Sequence, residues 1–213
     1  MACESVLVSH CFISAYFRSD ESWPLESSKY PNFVAKGSYC PRCVFSPETM
    51  QQIVETGKSF GIRVMLEFDM PGHSRIWANG YPDLVIDCDL PGSQPLLDPT
   101  GPVYDVLDGL LSEFSGLQDS GYVHLGGDEV SSMACWEQSA KVQAFMKQEG
   151  LPAGNMTALR EYFQYQVQLV VQKHGLASVF WQEVFEVGSK LLPTTVINSW
   201  GNNHSVVDVA RAG

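Results

Sequence analysis

The stretch Tyr122-Val-His-Leu-Gly-Gly-Asp-Glu129 places two adjacent carboxylates directly after a short apolar run. Such a run, followed by Gly-Gly, is typical of a strand that ends in a turn. Similar runs lie at Ile62 to Asp69, Ser178 to Gln182 and Thr195 to Trp200, and a further strand is expected within Val6 to Ala15. Helical patterns separate the runs, so the sequence predicts a parallel sheet with helices on its faces.

The helical segments are recognised by their caps and by apolar residues at three- and four-residue spacing. Ser46 is a cap for a helix that begins at Pro47 and ends at Gly61. Three further helices are predicted, at about Val103 to Leu117, Trp136 to Glu149 and Thr157 to His174, with another near the end of the sequence. A loop rich in Pro, Gly and Asp is predicted from about Asn79 to Pro102.

Polar residues follow the predicted strands, at the edge where (β/α)8 barrels carry their chemistry. These residues are Glu67, Asp69, His73, Asp128, Glu129, Trp181, Glu183 and Trp200. A doubly wound sheet also gathers polar groups at strand ends, but no glycine-rich phosphate loop opens a helix here. The predicted fold class is therefore α/β, a (β/α)8 TIM barrel. Since such a barrel needs eight strands and about 250 residues, the chain is expected to hold a partial barrel, about strands 2 to 6.

The charge balance limits the partners. Among 213 residues, 13 Lys and Arg face 24 Asp and Glu, for a formal net charge of -11. An acidic chain repels phosphate backbones and anionic membranes, which disfavours nucleic-acid binding. No apolar run approaches about 18 residues, so no membrane span is expected. The first residues also lack the basic start and apolar stretch of a signal peptide.

Six cysteines stand at positions 3, 11, 40, 43, 88 and 135. Cys40-Pro-Arg-Cys43 has a spacing compatible with zinc binding or redox chemistry. A zinc site would need a second pair of ligands, and none follows at a usual spacing. The role of Cys40 and Cys43 stays open from the sequence.

The adjacent acids Asp128 and Glu129 are the sharpest chemical feature. Neighbours on an extended segment point to opposite sides, so one is expected to be held ionised by hydrogen bonds while the other lies against aromatic rings with a raised pKa. That separation supplies a general acid at neutral pH. The alternative is that Asp128 caps the following helix and Glu129 is a solvated acid of its first turn.

Three other side chains at this edge have both a functional and an ordinary interpretation. His73 is a ligand, a second base or a satisfied loop histidine. Trp181 and Trp200 end apolar strands, where they either pack in the core or stack on the apolar face of a sugar ring.

His124-Leu-Gly-Gly-Asp-Glu-Val130 resembles the active-site motif of glycoside hydrolase family 20, the β-N-acetylhexosaminidases. Four more segments resemble family motifs in the same order: Asp20-Glu-Ser-Trp-Pro24, Glu67-Phe-Asp-Met-Pro-Gly-His73, Trp181-Gln-Glu183 and Asn198-Ser-Trp200. The resemblance covers about residues 20 to 210 and is to the eukaryotic lysosomal type.

The resemblance implies substrate-assisted retaining hydrolysis of terminal β-linked N-acetylglucosamine or N-acetylgalactosamine through an oxazolinium intermediate. Glu129 is then the general acid and later the base, and Asp128 orients the acetamide. Trp181 and Trp200 wall the acetamide pocket, while His73 and Asp20 support the site by hydrogen bonds. No metal or cofactor is implied, and the partners are β-linked amino-sugar glycans or glycoconjugates.

The family pattern further implies a disulfide between Cys88 and Cys135 and a lysosomal or secreted location. It allows a homo- or hetero-dimer of the full-length protein. Residues 1–19 do not match the family, so we expect them to be a divergent, mis-predicted leader, with 20–213 as the partial barrel. The 213-residue chain alone is expected to be inactive.

Two alternatives differ in class. One is a non-catalytic remnant that binds carbohydrate or packs against a partner. The other is a metal-dependent barrel hydrolase that uses Asp69, His73, Asp128 and Glu129.

Overall fold

A computed structural model describes residues 12–17, 21–118, 120–201 and 203–212. Its strands are β1 Phe12–Phe17, β2 Arg63–Phe68, β3 Val85–Ile86, β4 Leu96–Leu97, β5 Tyr122–His124, β6 Ala177–Trp181 and β7 Val196–Asn198. Five of them form a parallel sheet in the order β1, β2, β5, β6, β7, and β3 pairs with β4 in a separate antiparallel hairpin.

Nine helices are found in the described part of the chain. They are α1 Pro31–Gly37, α2 Pro47–Ser59, α3 Arg75–Gly80, α4 Val103–Phe114, α5 Ala134–Gln138, α6 Ala140–Gln148, α7 Met156–Lys173, α8 Gln182–Glu186 and α9 Asn203–Ala212. None of these helices is long and apolar enough to cross a membrane.

Each strand of the parallel sheet lies beside the next one along the chain, with helices in the connections. This is the strand order of a βα barrel, so the predicted βα alternation is confirmed. β1 pairs with β2 from Phe12↔Arg63 to Phe17↔Phe68. It lies slightly later than the strand expected within Val6 to Ala15. The domain boundary between residues 19 and 20 stays a prediction.

Two predicted segments differ from the structure. The single helix expected from Trp136 to Glu149 is two helices, because Ser139 is extended and its hydroxyl accepts a hydrogen bond from the Val142 amide at 3.4 Å, which starts α6 afresh. The loop expected from Asn79 to Pro102 contains a 3-10 turn at Pro82–Leu84 and the β3–β4 hairpin. Strands of two residues are too short to show a period in the sequence.

The apolar faces of α4 and α7 pack against each other, and α7 also packs on β6 of the parallel sheet. The buried side chains of these faces are Val103, Val106, Leu107, Leu110, Leu111 and Phe114 on α4, and Leu159, Phe163, Val167 and Val171 on α7. The same core continues at the carboxyl end of β2, where Trp23 stacks on Phe33 with ring centroids 4.2 Å apart and meets Phe68 and Trp77. Large buried aromatic rings of this kind fix the loops that leave the strand.

Candidate active site

Four polar residues are almost fully buried where β2 and β5 end. They are Glu67, Asp69, His124 and Asp128, each at most 7% exposed. Because β2 and β5 are parallel neighbours, their carboxyl ends lie side by side and bring these groups together. A buried charge is tolerated only when it is paired, hydrogen-bonded or neutralised by a proton, so the contacts of each carboxyl define its state.

Glu67 and His124 hold the Trp181 indole in place. Glu67 Oε1 accepts a hydrogen bond from Trp181 Nε1 at 3.1 Å and lies 3.3 Å from His124 Nδ1. The imidazole and indole centroids are 4.5 Å apart. Trp181 is half-buried at the end of β6, so its ring combines core contacts with a partly open face.

The two glycines after β5 make the turn that presents the acids. Gly126 and Gly127 have φ of 62° and 95°, in the left-handed region that favours glycine. A Cβ on Gly126 would collide with the Asp69 carboxyl, and one on Gly127 would collide with Val184. The Gly127 amide donates to Asp69 Oδ1 at 3.0 Å. The close approach of the loops therefore depends on glycine at both positions.

Asp128 and Glu129 do not lie on an extended segment, so the prediction that they point to opposite sides is wrong. Glu129 has a φ of 51°, which turns its side chain back toward the same partner as Asp128. His73 Nε2 lies 3.6 Å from Asp128 Oδ2 and 3.5 Å from Glu129 Oε2. The alternative that Asp128 caps the next helix is also wrong, because α5 begins after Met133 without a side-chain cap.

The two environments expected for the acid pair are found instead at Asp69 and Asp128. Burial, followed by the nearby Asp128 carboxylate, holds the pKa of Asp69 well above its usual range. Burial opposes ionisation of Asp128, but His73 and Asp69 next to its carboxylate outweigh burial and lower the pKa of Asp128. These shifts favour the protonated form of Asp69 beside the ionised form of Asp128. Glu129 has a side chain 60% exposed, so it is not enclosed by aromatic rings as expected.

One oxygen of the Asp128 carboxylate lacks a hydrogen-bond partner in the part of the chain that the structure describes. Oδ1 is buried and accepts no hydrogen bond from the residues that the structure describes. A buried acceptor without a donor is costly, and a ligand with an N–H or O–H group would satisfy it.

Asp69, His73 and Asp128 form the one group, within the described ranges, that could offer three ligand atoms to a metal ion, all within 4.8 Å of one another. Metal ligands must be deprotonated, and the raised pKa of Asp69 opposes the loss of its proton.

A cavity of about 410 Å³ opens beside Glu129. It is lined by His73, Arg75, Gln94, Pro95, Glu129 and Ser131. Ligand pockets in proteins have volumes of about 300–1,000 Å³, so the cavity is large enough to hold a sugar ring. The cavity therefore leaves room on the exposed side of the acid pair for a substrate group.

Trp200 lies on the exposed rim of the site. Its side chain is 57% exposed, and its Nε1 donates to Glu183 Oε2 at 3.2 Å. The core-packing interpretation is therefore wrong for Trp200. Gln182 Oε1 accepts from the amides of Trp200 and Gly201 at 3.1 and 2.8 Å, which fixes this segment to α8. Asp20, the remaining predicted site residue, lies outside the described residues.

Arg160 is a residue of the site that the sequence did not indicate. It lies near the N-terminal end of α7, is 5% exposed, and its Nη2 donates to the Gly127 carbonyl at 2.8 Å. A smaller cavity of about 200 Å³ is lined by Glu129, Val130, Ser131, Arg160, Glu183, Glu186 and Val187. No motif surrounds Arg160, and its position on a helix gives no signal that it reaches the loop after β5.

Two disulfides account for four of the six cysteines. Cys88 and Cys135 are joined, with Cα atoms 5.4 Å apart, which is the pairing implied by the family resemblance. Cys40 and Cys43 are joined to each other. Sulfurs paired in this way are not available to zinc, so the zinc interpretation of this spacing does not hold for the structure.

Comparisons with known proteins agree with this geometry. Residues 16–213 match the catalytic domain of glycosyl hydrolase family 20. The chain is 33% identical to the human β-hexosaminidase subunit beta over 199 residues and 36% identical to the bovine subunit alpha over 189 residues. These alignments cover 90% and 85% of this chain and 35% of each relative, so the chain spans about a third of their length.

Solved structures give the same result. The exo-β-N-acetylglucosaminidase of Vibrio harveyi superposes with a TM-score of 0.78 at 25% identity, over 92% of this chain and 34% of that one. The Flavobacterium johnsoniae chitobiase superposes with a TM-score of 0.77 at 28% identity, over 92% and 31%. From the match of residues 16–213 and these superpositions, we conclude that the chain belongs to glycosyl hydrolase family 20 and that its sheet is part of that family's TIM barrel.

Proposed function

We propose that the gene product containing this chain is a β-N-acetylhexosaminidase that removes terminal β-linked N-acetylglucosamine or N-acetylgalactosamine from glycans or glycoconjugates. The observation that carries the proposal is the buried, ionised Asp128 with an unsatisfied Oδ1, next to the exposed carboxyl of Glu129. A 2-acetamido group offers an N–H for Asp128, while the glycosidic oxygen lies on the open side with Glu129.

In the first step, the acetamide oxygen of the substrate attacks the anomeric carbon. The bond from that carbon to the leaving oxygen breaks as Glu129 gives the leaving oxygen a proton. Positive charge develops on the acetamide nitrogen, and the carboxylate of Asp128 stabilises it from a buried position where electrostatic interactions are strong. The product of this step is an oxazolinium ion, with Glu129 deprotonated.

In the second step, Glu129 takes a proton from a water molecule that attacks the anomeric carbon. The bond from the anomeric carbon to the acetamide oxygen breaks and the acetamide re-forms. Two displacements retain the β configuration. His73 supports both carboxylates from its position between them, and Trp181 and Trp200 wall the acetamide pocket.

The relatives support the choice of substrate. The Vibrio harveyi enzyme has been solved in complex with N-acetylglucosamine, and a Streptomyces plicatus β-hexosaminidase in complex with the same product. The two disulfides fit an oxidising compartment, which favours a lysosomal or secreted location. Because the mammalian relatives are described as subunits, we include assembly of the full-length protein as a homo- or hetero-dimer in the proposal.

The test compares two leaving-group-matched substrates that differ only at carbon 2. The full-length gene product is assayed with an aryl 2-acetamido-2-deoxy-β-glucoside and with the corresponding β-glucoside. We expect hydrolysis of the first with retention, and none of the second, because a 2-hydroxyl cannot form the oxazolinium ring. Comparable rates on both would contradict the substrate-assisted mechanism. Binding of N-acetylglucosamine without hydrolysis would favour the non-catalytic remnant.

A further inference from the structure

Arg160 is a buried cation that the proposed mechanism does not use. Its side chain meets the core side of the loop after β5, and the carboxylate of Glu183 on α8 acts on its charge. Its Nε is buried without a hydrogen-bond partner among the described residues, and its Nη2 donates to the Gly127 carbonyl. Burial of a guanidinium is unfavourable unless it makes strong contacts, so this contact calls for an explanation.

Arg160 contacts the carbonyl of Gly127, and a second hydrogen bond holds the amide of the same residue. The Gly127 amide, which belongs to the preceding peptide unit, donates to Asp69 Oδ1 at 3.0 Å. The Gly127 carbonyl, which belongs to the following unit, accepts from Arg160 Nη2 at 2.8 Å. Glycine has the widest backbone freedom of any residue. Two hydrogen bonds from two different elements therefore fix the φ and ψ of the residue that precedes the acid pair.

The orientation of this peptide unit sets the direction of Asp128. The Gly127 carbonyl and the Asp128 amide are parts of the same planar unit, so a rotation that releases the carbonyl also turns the amide and the Cα–Cβ bond of Asp128. The Asp128 amide also interacts with the carboxylate of its own side chain. A cation on the carbonyl polarises the unit and makes its N–H a better donor.

We propose that Arg160 is a positioning residue, which holds the Gly127 carbonyl and thereby aims the Asp128 carboxylate at the substrate acetamide. The inference rests on the proposed function. Arg160 touches neither the acetamide nor the leaving group, so it acts only through the Gly127–Asp128 peptide unit.

Other charged groups face the same two side chains. Asp128 is faced by Asp69 and His73 from the loop after β2 and by Glu129 on its own loop. Arg160 is faced by Glu183 of α8, while burial lowers the pKa of the guanidinium. Since an Arg160 variant leaves all four of these groups in place, a changed pH profile would report the loss of the guanidinium.

The test uses Arg160→Gln and Arg160→Lys in the full-length gene product, with Gln168→Met as the matched control. Gln168 is buried on the same helix, two turns further on. Its side chain holds the segment before β7 through the Leu192 amide and the Thr195 hydroxyl. The control therefore removes buried hydrogen bonds from α7 without a contact to the loop after β5.

For Arg160→Gln we expect kcat to fall roughly 10- to 100-fold, the range that a small misplacement of reacting groups costs, with KM changed less than about threefold. The acidic limb of the kcat profile should move to higher pH, because Asp128 loses support for its charged form. Arg160→Lys, which keeps the charge, should retain more of kcat and of the acidic limb. Gln168→Met should lower the melting temperature and leave kcat and the pH profile unchanged.

Retention of kcat and of the acidic limb in Arg160→Gln would overturn the inference, as would equal losses in Gln168→Met. If Arg160→Gln does not fold, Arg160→Lys carries the same comparison. Amide hydrogen exchange is a readout without activity: the Gly127 to Glu129 amides should exchange faster in the Arg160 variants only. An inactive wild-type protein with this exchange pattern would contradict the proposed function while leaving the positioning contact intact, and unchanged exchange would contradict the contact.

Discussion

The site has an enclosed floor and an exposed rim, and the two are built differently. The floor lies where β2 and β5 end, with Asp69 and Asp128 buried and joined to the Gly127 turn. The rim lies at Glu129 and at the end of β7, where Trp200 is 57% exposed. The floor is shaped by contacts within the described chain before any substrate arrives. At the rim, the exposed side chains of Glu129 and Trp200 remain accessible to a substrate.

This contrast indicates how variants of the two regions should differ. Changes in the floor should alter the state of charge and the stability of the site, because its groups share protons and hydrogen bonds. Changes in the rim should alter catalysis or binding with little effect on stability, because exposed side chains contribute little to the free energy of unfolding.

The largest effect is expected for Glu129→Gln on the rim. Loss of the proposed general acid should lower kcat roughly 100- to 10,000-fold for a sugar leaving group, and much less for a nitrophenyl leaving group that needs no proton. The melting temperature should not fall. Steady-state kinetics on both substrate types check this, with Glu55→Gln on the exposed face of α2 as the control. Equal losses on both substrates would remove Glu129 from the role of acid.

The next effect concerns the disulfide between Cys88 and Cys135, which spans 47 positions. Replacing both by Ser should lower the free energy of unfolding by about 4 kcal/mol, because a long loop regains its freedom in the unfolded chain. The same replacement at Cys40 and Cys43, separated by three positions, should cost only about 2 kcal/mol. Denaturant titration of both double variants measures the difference. Equal losses in the free energy of unfolding would show that local strain, and not loop entropy, determines how much each disulfide stabilises the fold.

Within the floor, Asp128→Asn and Asp69→Asn should lower kcat by clearly different factors. The first removes an ionised carboxylate and should lower kcat roughly 100- to 1000-fold. The second replaces a carboxyl whose raised pKa favours its neutral form, so kcat should fall less than about tenfold. Kinetics of the two variants test the assignment of charge, and a larger loss for Asp69→Asn would reverse it.

The same pair should differ in the pH dependence of stability. Folded Asp69 binds a proton that the unfolded chain loses at about pH 4, because its folded pKa is raised. The free energy of unfolding contributed by this group is therefore present below that pH and is lost as the pH rises toward the folded pKa. Asp69→Asn should abolish this decline. As the pH is raised, the melting temperature of the variant should therefore rise relative to that of the wild type. If the melting temperatures of Asp69→Asn and the wild type changed with pH in parallel, the raised pKa of Asp69 would be contradicted.

The smallest effect is expected for Trp200→Ala. An exposed indole that stacks on a sugar contributes about 0.5–1.5 kcal/mol, so KM should rise up to about tenfold with little change in kcat or melting temperature. Trp200→Phe keeps a ring but loses the N–H to Glu183, and it should recover most of the KM. A lower melting temperature of Trp200→Ala would show that Trp200 contributes to the stability of the fold, as the residues of the floor do.

The sequence predicted the parts of the site that follow local rules. Strand ends, the Gly126-Gly127 turn and the positions of the two acids came from short-range patterns, and the family resemblance added roles. The raised pKa of Asp69 could not be predicted, because it depends on burial and on a carboxylate from another strand. Arg160 was missed for a similar reason, since a long side chain on a helix gives no sign in the sequence of the loop it reaches.

The geometry of Glu129 was wrongly predicted because two glycines allow the chain to leave the extended conformation before the acid is reached. The division of one predicted helix at Ser139 has a similar origin, since a serine with helix-compatible neighbours shows its capping role only when the backbone turns. Single residues that redirect the chain are the ones that periodicity does not detect.

The left-handed backbone of Glu129 has a consequence for how this protein would respond to selection. A φ of 51° is unfavourable for a glutamate by about 1–2 kcal/mol and costs a glycine almost nothing. Relief of this strain offsets the backbone entropy that a glycine loses on folding, so Glu129→Gly should keep the stability of the fold while removing the proposed general acid. A library sorted for heat resistance alone would retain this inactive variant, so activity must be screened together with thermal tolerance when the protein is engineered.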